Sequence, residues 1–284
     1  KSPDTVLHHL DIPFLPISFF KTHQVLSTPT EAKTIFTSSG TTQSTTSKHL
    51  VPDIKLYEES FLKAFESFYG APEEICILAL LPSYLEREGS SLIYMVDDLI
   101  KKSNHPDSGF YLHNLAELHQ KLLELEQRNT KTLLIGVSFA LLELAEQFPM
   151  KLKKTIVMET GGMKGRRKEL IREELHHILT QGLGVDRIHS EYGMTELLSQ
   201  AYSKGNGIFQ TPPWMKIITR DTEDPLNIQA HDKTGGINVI DLANLYSCSF
   251  IATQDLGKTY ANGSFEVLGR FDDSDIRGCN LMVL

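Results

Sequence analysis

Three runs of apolar residues leave this chain few ways to fold. Ile75-Cys76-Ile77-Leu78-Ala79-Leu80-Leu81 is closed by Pro82, and Lys131-Thr132-Leu133-Leu134-Ile135-Gly136-Val137 and Lys154-Thr155-Ile156-Val157-Met158 follow it. Each has the length of a strand and no polar alternation, so each needs cover on both faces. Between and after them lie segments of helical spacing: Leu92 to Ile100, Leu115 to Gln127, Phe139 to Gln147, and a charged helix predicted from Lys168 to Leu179. Strand and helix in alternation imply right-handed crossovers and an α/β fold with a largely parallel sheet and flanking helices. Ligands of such a sheet gather at the carboxyl ends of the strands.

Upstream, the prolines of Leu10-Asp11-Ile12-Pro13-Phe14-Leu15-Pro16-Ile17 exclude a helix and predict an extended segment anchored by Phe19-Phe20. Asp53 caps a helix that carries Leu56, Phe61, Phe65 and Phe68 on one face and stops at Gly70. From Trp214 the texture changes. Met215-Lys216-Ile217-Ile218-Thr219, Ile237-Asn238-Val239-Ile240-Asp241, Ser249-Phe250-Ile251-Ala252-Thr253 and Ser264-Phe265-Glu266-Val267-Leu268 read as short strands between Gly, Asn and Asp turns. The expected organisation is an α/β core over 1–205 and a smaller β-rich subdomain over 206–284, with the boundary near Gly205-Asn206-Gly207 and Pro212-Pro213.

Chemistry concentrates in Thr37-Ser38-Ser39-Gly40-Thr41-Thr42-Gln43-Ser44-Thr45-Thr46-Ser47, which ends at Lys48. No side chain there can build a core, whereas hydroxyls and backbone N–H groups can surround an anion. Ile35-Phe36 before it reads as the end of a buried strand, and the Asp53 helix as the element directly after it. The second glycine of a Walker-type loop is missing, so this is a different phosphate loop. Taken by itself the run is equally a solvated linker. A second nucleotide-type stretch, Ser190-Glu191-Tyr192-Gly193-Met194-Thr195-Glu196, shifts the balance toward a site. Glu196 suits Mg2+, which takes one or two carboxylates together with phosphate oxygens; the competing reading is a cap for a helix starting near Thr195. Gly161-Gly162-Met163 is a turn that lets a ligand approach the backbone, or an ordinary strand-to-helix turn.

These residues, with Asp255 and Gly269-Arg270, occur in the order found in the adenylate-forming superfamily, which the chain resembles from about Ser2 to its last residue. Within that superfamily it looks most like the acyl-protein synthetases of bacterial bioluminescence. The resemblance implies an ATP- and Mg2+-dependent ligase with the superfamily's large domain. Where relatives continue after Gly-Arg with a mobile C-terminal lid, only Phe271 to Leu284 follow here, so the expected large domain is without the lid, which was removed or is dispensed with. It implies that Thr37, Ser38, Ser39, Gly40, Thr41, Thr42 and Lys48 meet the polyphosphate and that Gly161, Gly162 and Met163 border adenine and the acyl group. It implies that Tyr192 and Gly193 lie along the adenine, Thr195 meets the α-phosphate, Glu196 holds the metal, and Asp255 and Arg270 meet ribose or phosphate. Gln254 stands where relatives keep a glycine. The expected reaction makes an acyl-adenylate, from a fatty acid, and passes the acyl group to Cys279, with an acyl-CoA reductase or acyl-transferring protein as partner. The alternatives are an acyl-CoA ligase of the phenylacetate type and a non-catalytic nucleotide- or acyl-binding module. Without the resemblance, Cys279 and Cys76 read as packing residues.

Composition excludes other classes. A formal charge of −8 over 284 residues argues against a nucleic-acid partner. Cys76, Cys248 and Cys279 have no metal-type spacing and suit a reduced, cytoplasmic setting. No apolar run reaches the length of a membrane span. The first residue is Lys rather than Met, which reads as the interior of a longer chain.

Overall fold

The computed structural model describes residues 3–38, 46–81, 89–112, 114–161 and 170–271. In chain order the elements are β1 (Leu15–Pro16), α1 (Phe19–Thr22), β2 (Thr34–Thr37), β3 (Lys48–Val51), α2 (Ile54–Tyr69), β4 (Cys76–Leu80) and α3 (Ser91–Ser103). Then come β5 (Gly109–Phe110), α4 (Leu115–Gln127), β6 (Thr132–Val137), α5 (Ser138–Gln147), β7 (Thr155–Thr160), α6 (Arg172–Leu183) and β8 (His189–Tyr192). The last strands are β9 (Ala201–Ser203), β10 (Ile208–Gln210), β11 (Met215–Arg220), β12 (Thr234–Asp241), β13 (Phe250–Thr259) and β14 (Phe265–Arg270).

The apolar runs form the expected parallel strands. β4 pairs with β5 and β6, β6 with β7, and β7 with β8, all parallel. Their side chains alternate between two cores, as a strand's two faces require. Ile75, Ile77, Ala79 and Leu81 meet α2 and α3 on one face. Cys76, Leu78 and Leu80 meet α4, α5 and α6 on the other. Each such leucine, fully removed from water, contributes about 2 kcal/mol.

At β8 the sheet changes character. β9 lies antiparallel to β8, and the path continues antiparallel through β10, β14, β13, β12 and β11, giving one twelve-stranded sheet when β1 is counted on the edge of β13. The sequence division at 205/206 falls in the turn between β9 and β10, and that hairpin joins the two halves through the same ladder. A third core of Phe20, Tyr192, Leu197, Phe209, Ile237, Ile251 and Phe265 fills the antiparallel half.

Several local expectations are corrected. Phe36 is buried but Ile35 beside it is 47% exposed, so β2 has one covered face rather than two. The hydroxyl run is the connection of a β2–β3 hairpin, in which Thr37 pairs with Lys48, and β3 stands between it and α2. A four-residue strand with His and Lys in it carries too little pattern to be read alone. The charged helix begins at Arg172, and residues 168 and 169 lie outside the described residues. The strand expected to stop at Thr253 continues through Asp255 to Thr259, because β12 and β14 pair on both sides of β13, with a register shift at Leu256/Gly257.

Helix ends follow their caps. The Asp53 carboxylate accepts from the Lys55 N–H and starts α2. Asp53→Ala is expected to cost about 1 kcal/mol of stability, read as a small fall in the urea midpoint at unchanged slope; no fall would remove the cap from the account. Gly184 ends α6 at φ +64, where a methyl group would meet the Met150 carbonyl oxygen at 2.6 Å.

Candidate active site

The hydroxyl run and the Tyr-Gly-Met-Thr-Glu stretch meet. At the base of the run Ser47 N–H donates to Ser38 Oγ at 2.9 Å and Ser38 N–H to the Ser47 carbonyl at 3.1 Å, which closes the loop above β2 and β3. Past that closure, the Ser47 hydroxyl lies against the Glu196 carboxyl and favours its charged form. His49, two residues on, donates from Nδ1 to the Thr195 carbonyl at 2.8 Å. It is fully buried, with Phe20 edge-on to its ring. Burial pushes its pKa down to about 4, so it is neutral at physiological pH and serves as a fixed donor.

Residues 193–200 contain no helix, which removes the reading of Glu196 as a helix cap. The turn is held by side chains from three directions. Asp241, at the end of β12, accepts from Leu198 N–H at 2.8 Å and Ser199 Oγ at 2.6 Å. Asn244 Nδ2 donates to the Glu196 carbonyl at 2.7 Å, and Ser60 on α2 meets Ser199 at 3.0 Å. Backbone held this way cannot drift from β3.

Glu196 itself is 6% exposed. Burial raises its pKa, against which the Ser47 hydroxyl, its own backbone, Arg270 and Lys21 act. Such a carboxylate is short of positive charge. No group of three or more His, Cys, Asp or Glu that could cage a metal occurs among the described residues. One carboxylate with phosphate oxygens is the donor set that suits Mg2+, and Glu196 fits it.

On the other side of the turn Tyr192 donates its hydroxyl to Asp255 Oδ2 at 2.8 Å. Asp255 Oδ1 faces Arg270 Nε at 3.5 Å, the two residues being cross-strand partners on β13 and β14. The Tyr192 ring packs edge-on against Phe209 and Phe265. Burial raises the Asp255 carboxyl, and the Tyr192 bond and the Arg270 and Arg220 charges oppose it. Gly161, with φ +69 and open space where a side chain would stand, follows β7, and its carbonyl accepts from Ser138 Oγ at 2.7 Å.

Tyr192, Asp255 and Arg270 are thus linked to one another, and Thr195 and Glu196 to His49 and Ser47, with the Arg270 charge bearing on Glu196. Thr37 and Lys48 are paired at the root of the β2–β3 hairpin, with Ser38 beside them and Lys48 exposed. Ser39, Gly40, Thr41, Thr42, Gly162, Met163 and Cys279 lie outside the described residues. Cys76 and Cys248 are free thiols; burial pushes the Cys76 thiol up to about 11, which suits a packing role. No described helix is long and apolar enough to cross a membrane. Sequence reasoning named Ser47 and Glu191 only as members of their stretches, and passed over His49, Asp241 and Asn244. The signal for Asp241 was a carboxylate ending a buried strand; His49 had none.

No family model and no curated protein sequence matches the chain. Solved structures do. An ATP-bound RpMatB-BxBclM chimera matches with TM-score 0.62 at 17% identity, over 83% of this chain and 47% of its own. ATP-bound MatB from Rhodopseudomonas palustris matches with TM-score 0.60 at 18% identity, over 83% and 47%. The O-succinylbenzoate coenzyme A synthetase MenE from Bacillus subtilis, in complex with AMP, matches with TM-score 0.56 at 17% identity, over 85% and 49%. The chain thus spans about half the length of these proteins and shares their fold.

Proposed function

We propose that this chain is the nucleotide-binding part of an ATP-dependent acid ligase, which activates a carboxylic acid as its acyl-adenylate and hands the acyl group to coenzyme A. One observation carries the reading: His49 on Thr195 and Ser47 against Glu196 tie the hydroxyl run to the buried carboxylate. The shared fold supports it, since two of the similar structures hold ATP and one holds AMP and is a coenzyme A synthetase. That last likeness favours coenzyme A over an enzyme cysteine as acceptor.

In this reading the substrate carboxylate oxygen attacks the α-phosphorus. The bond to the bridging oxygen breaks, and pyrophosphate leaves. The hydroxyls and amides of 37–47 and the Lys48 ammonium hold the polyphosphate. Glu196 and the phosphate oxygens would hold Mg2+, which supplies charge neutralisation at the leaving group. Asp255 and Arg270 would hold ribose or phosphate, and Gly161 would border the base. A thiolate then attacks the acyl carbonyl and AMP departs.

Radiolabelled pyrophosphate exchange into ATP tests this with the full chain. Exchange should appear only with an acid present, and adding coenzyme A should release a free thioester. ATP binding without acid-dependent exchange would make the chain a binding module. Acyl label retained on the protein, and lost in Cys279→Ser, would return the acceptor to Cys279.

A further inference from the structure

Behind the Glu196 turn, His49 Nε2, Asn244 Oδ1 and the Ser247 hydroxyl are buried without a hydrogen-bond partner among the described residues. His49 and Asn244 are wholly buried, and Ser247 is 7% exposed. All three residues line one narrow cavity, which has Val51, Leu56 and Leu198 among its apolar walls and about 10 Å3 of space for the centre of a water-sized molecule.

The other atoms of these side chains fix where their hydrogens are. The Thr195 carbonyl can only accept, so His49 Nδ1 carries the proton of the neutral ring and Nε2 presents a lone pair. The Glu196 carbonyl can likewise only accept, so the Asn244 NH2 is turned to it and Oδ1 is left as a second acceptor. The Asn244 side chain also approaches the His49 ring and favours its charged form, but burial is the larger effect and keeps the ring neutral. Two buried acceptors therefore share the cavity with one hydroxyl, whose single hydrogen can serve only one of them. Leaving a buried acceptor unmatched is costly. A polar cavity of this size with three partners meets the needs of one water, and a larger ligand has no room.

We propose that this cavity is the site of one structural water, which donates its two hydrogens to His49 Nε2 and Asn244 Oδ1 and accepts from the Ser247 hydroxyl. The bridge couples the imidazole tautomer to the amide orientation. Through those two side chains it holds the Thr195 and Glu196 carbonyls, which makes His49, Asn244 and Ser247 positioning residues for the Glu196 carboxyl. The water site stands by itself; only its effect on nucleotide binding rests on the ligase reading.

Two measurements on the unaltered full chain test the site. A crystal structure that resolves ordered water should show one peak about 2.7–3.2 Å from each of the three atoms. Nitrogen NMR should find His49 protonated on Nδ1 and bare on Nε2, with a cross-peak to a long-lived water. No peak at that position, or a protonated Nε2 bonded straight to Asn244 Oδ1, overturns the proposal. His49→Asn then separates the water from the Thr195 bond, because an amide NH2 can stand where Nδ1 stood while nothing replaces Nε2. In that variant the water should be lost, and affinity for ATP should fall about three- to tenfold with Mg2+ present and stay near the wild-type value without it. Equal losses with and without Mg2+, or no loss once the water is gone, would strike out the positioning role. A chain that binds no ATP sinks the ligase reading, and the water peak still decides this one.

Discussion

Glu196→Gln is expected to lower acid-dependent pyrophosphate exchange by a factor of about a hundred to a thousand, with the fold intact. The loss follows from what Glu196 has around it. Its carboxyl is buried, with the Ser47 hydroxyl beside it and the Arg270 and Lys21 charges at longer range. In the ligase reading that carboxylate is completed by a cation brought with the substrate, which an amide could not hold. The fold survives because the turn is fastened through other atoms. His49 holds the Thr195 carbonyl, Asn244 the Glu196 carbonyl, and Asp241 the Leu198 N–H. None of these bonds uses the Glu196 side chain. Burial already disfavours its charged form, so a neutral amide of the same shape is no harder to bury. Two measurements check the expectation together: the exchange rate, and Mg2+-dependent affinity for ATP by calorimetry. Wild-type values in both would take Glu196 out of the mechanism.

The parts of the fold legible in the sequence are those whose pattern is local. β4, β6 and β7 announced themselves as unbroken apolar runs because helices cover both faces. α4 showed its bounds, Leu115 to Gln127, through its own periodicity. β3, β9 and β10 did not, since strands of three or four residues have too few positions to alternate, and their pairing is imposed by neighbours. Nor did the full length of β13 show, since Asp255 and Gly257 are poor strand formers; two paired strands overrule that preference. The site divides likewise. The residues aimed at a ligand lie in short contiguous motifs. The residues that hold those motifs in place are remote: His49 reaches Thr195 across 146 positions, and Asp241 reaches Ser199 across 42. Such contacts leave no trace in spacing.

A second large effect is expected in stability alone, at the buried Glu191 carboxyl of β8. Burial pushes the Glu191 carboxyl up to about 7 from its ordinary 4.5, with the Thr160 bond opposing the shift and Glu159 adding to it. The groups around it are Glu159 and Thr160 on β7, Tyr202 on β9, Gln200 before it, and Tyr57 and Tyr69 on α2. Between pH 4.5 and 7 the native state keeps a proton here that the unfolded chain gives up. Stability contributed by this residue therefore falls as pH rises through that window. The full penalty, about 3 kcal/mol, is in place above pH 7. His49 and His189 act in the opposite sense: burial lowers each to about 4, so the unfolded chain holds the extra proton and stability rises with pH between 4 and 6.5. The wild-type profile mixes these terms, and the difference between Glu191→Gln and wild type isolates the carboxyl. That difference should grow in favour of the variant by about 2.5 kcal/mol between pH 5 and pH 8, measured by urea unfolding at both values. A difference that stays flat would mean that Glu191 ionises as a solvated carboxylate does.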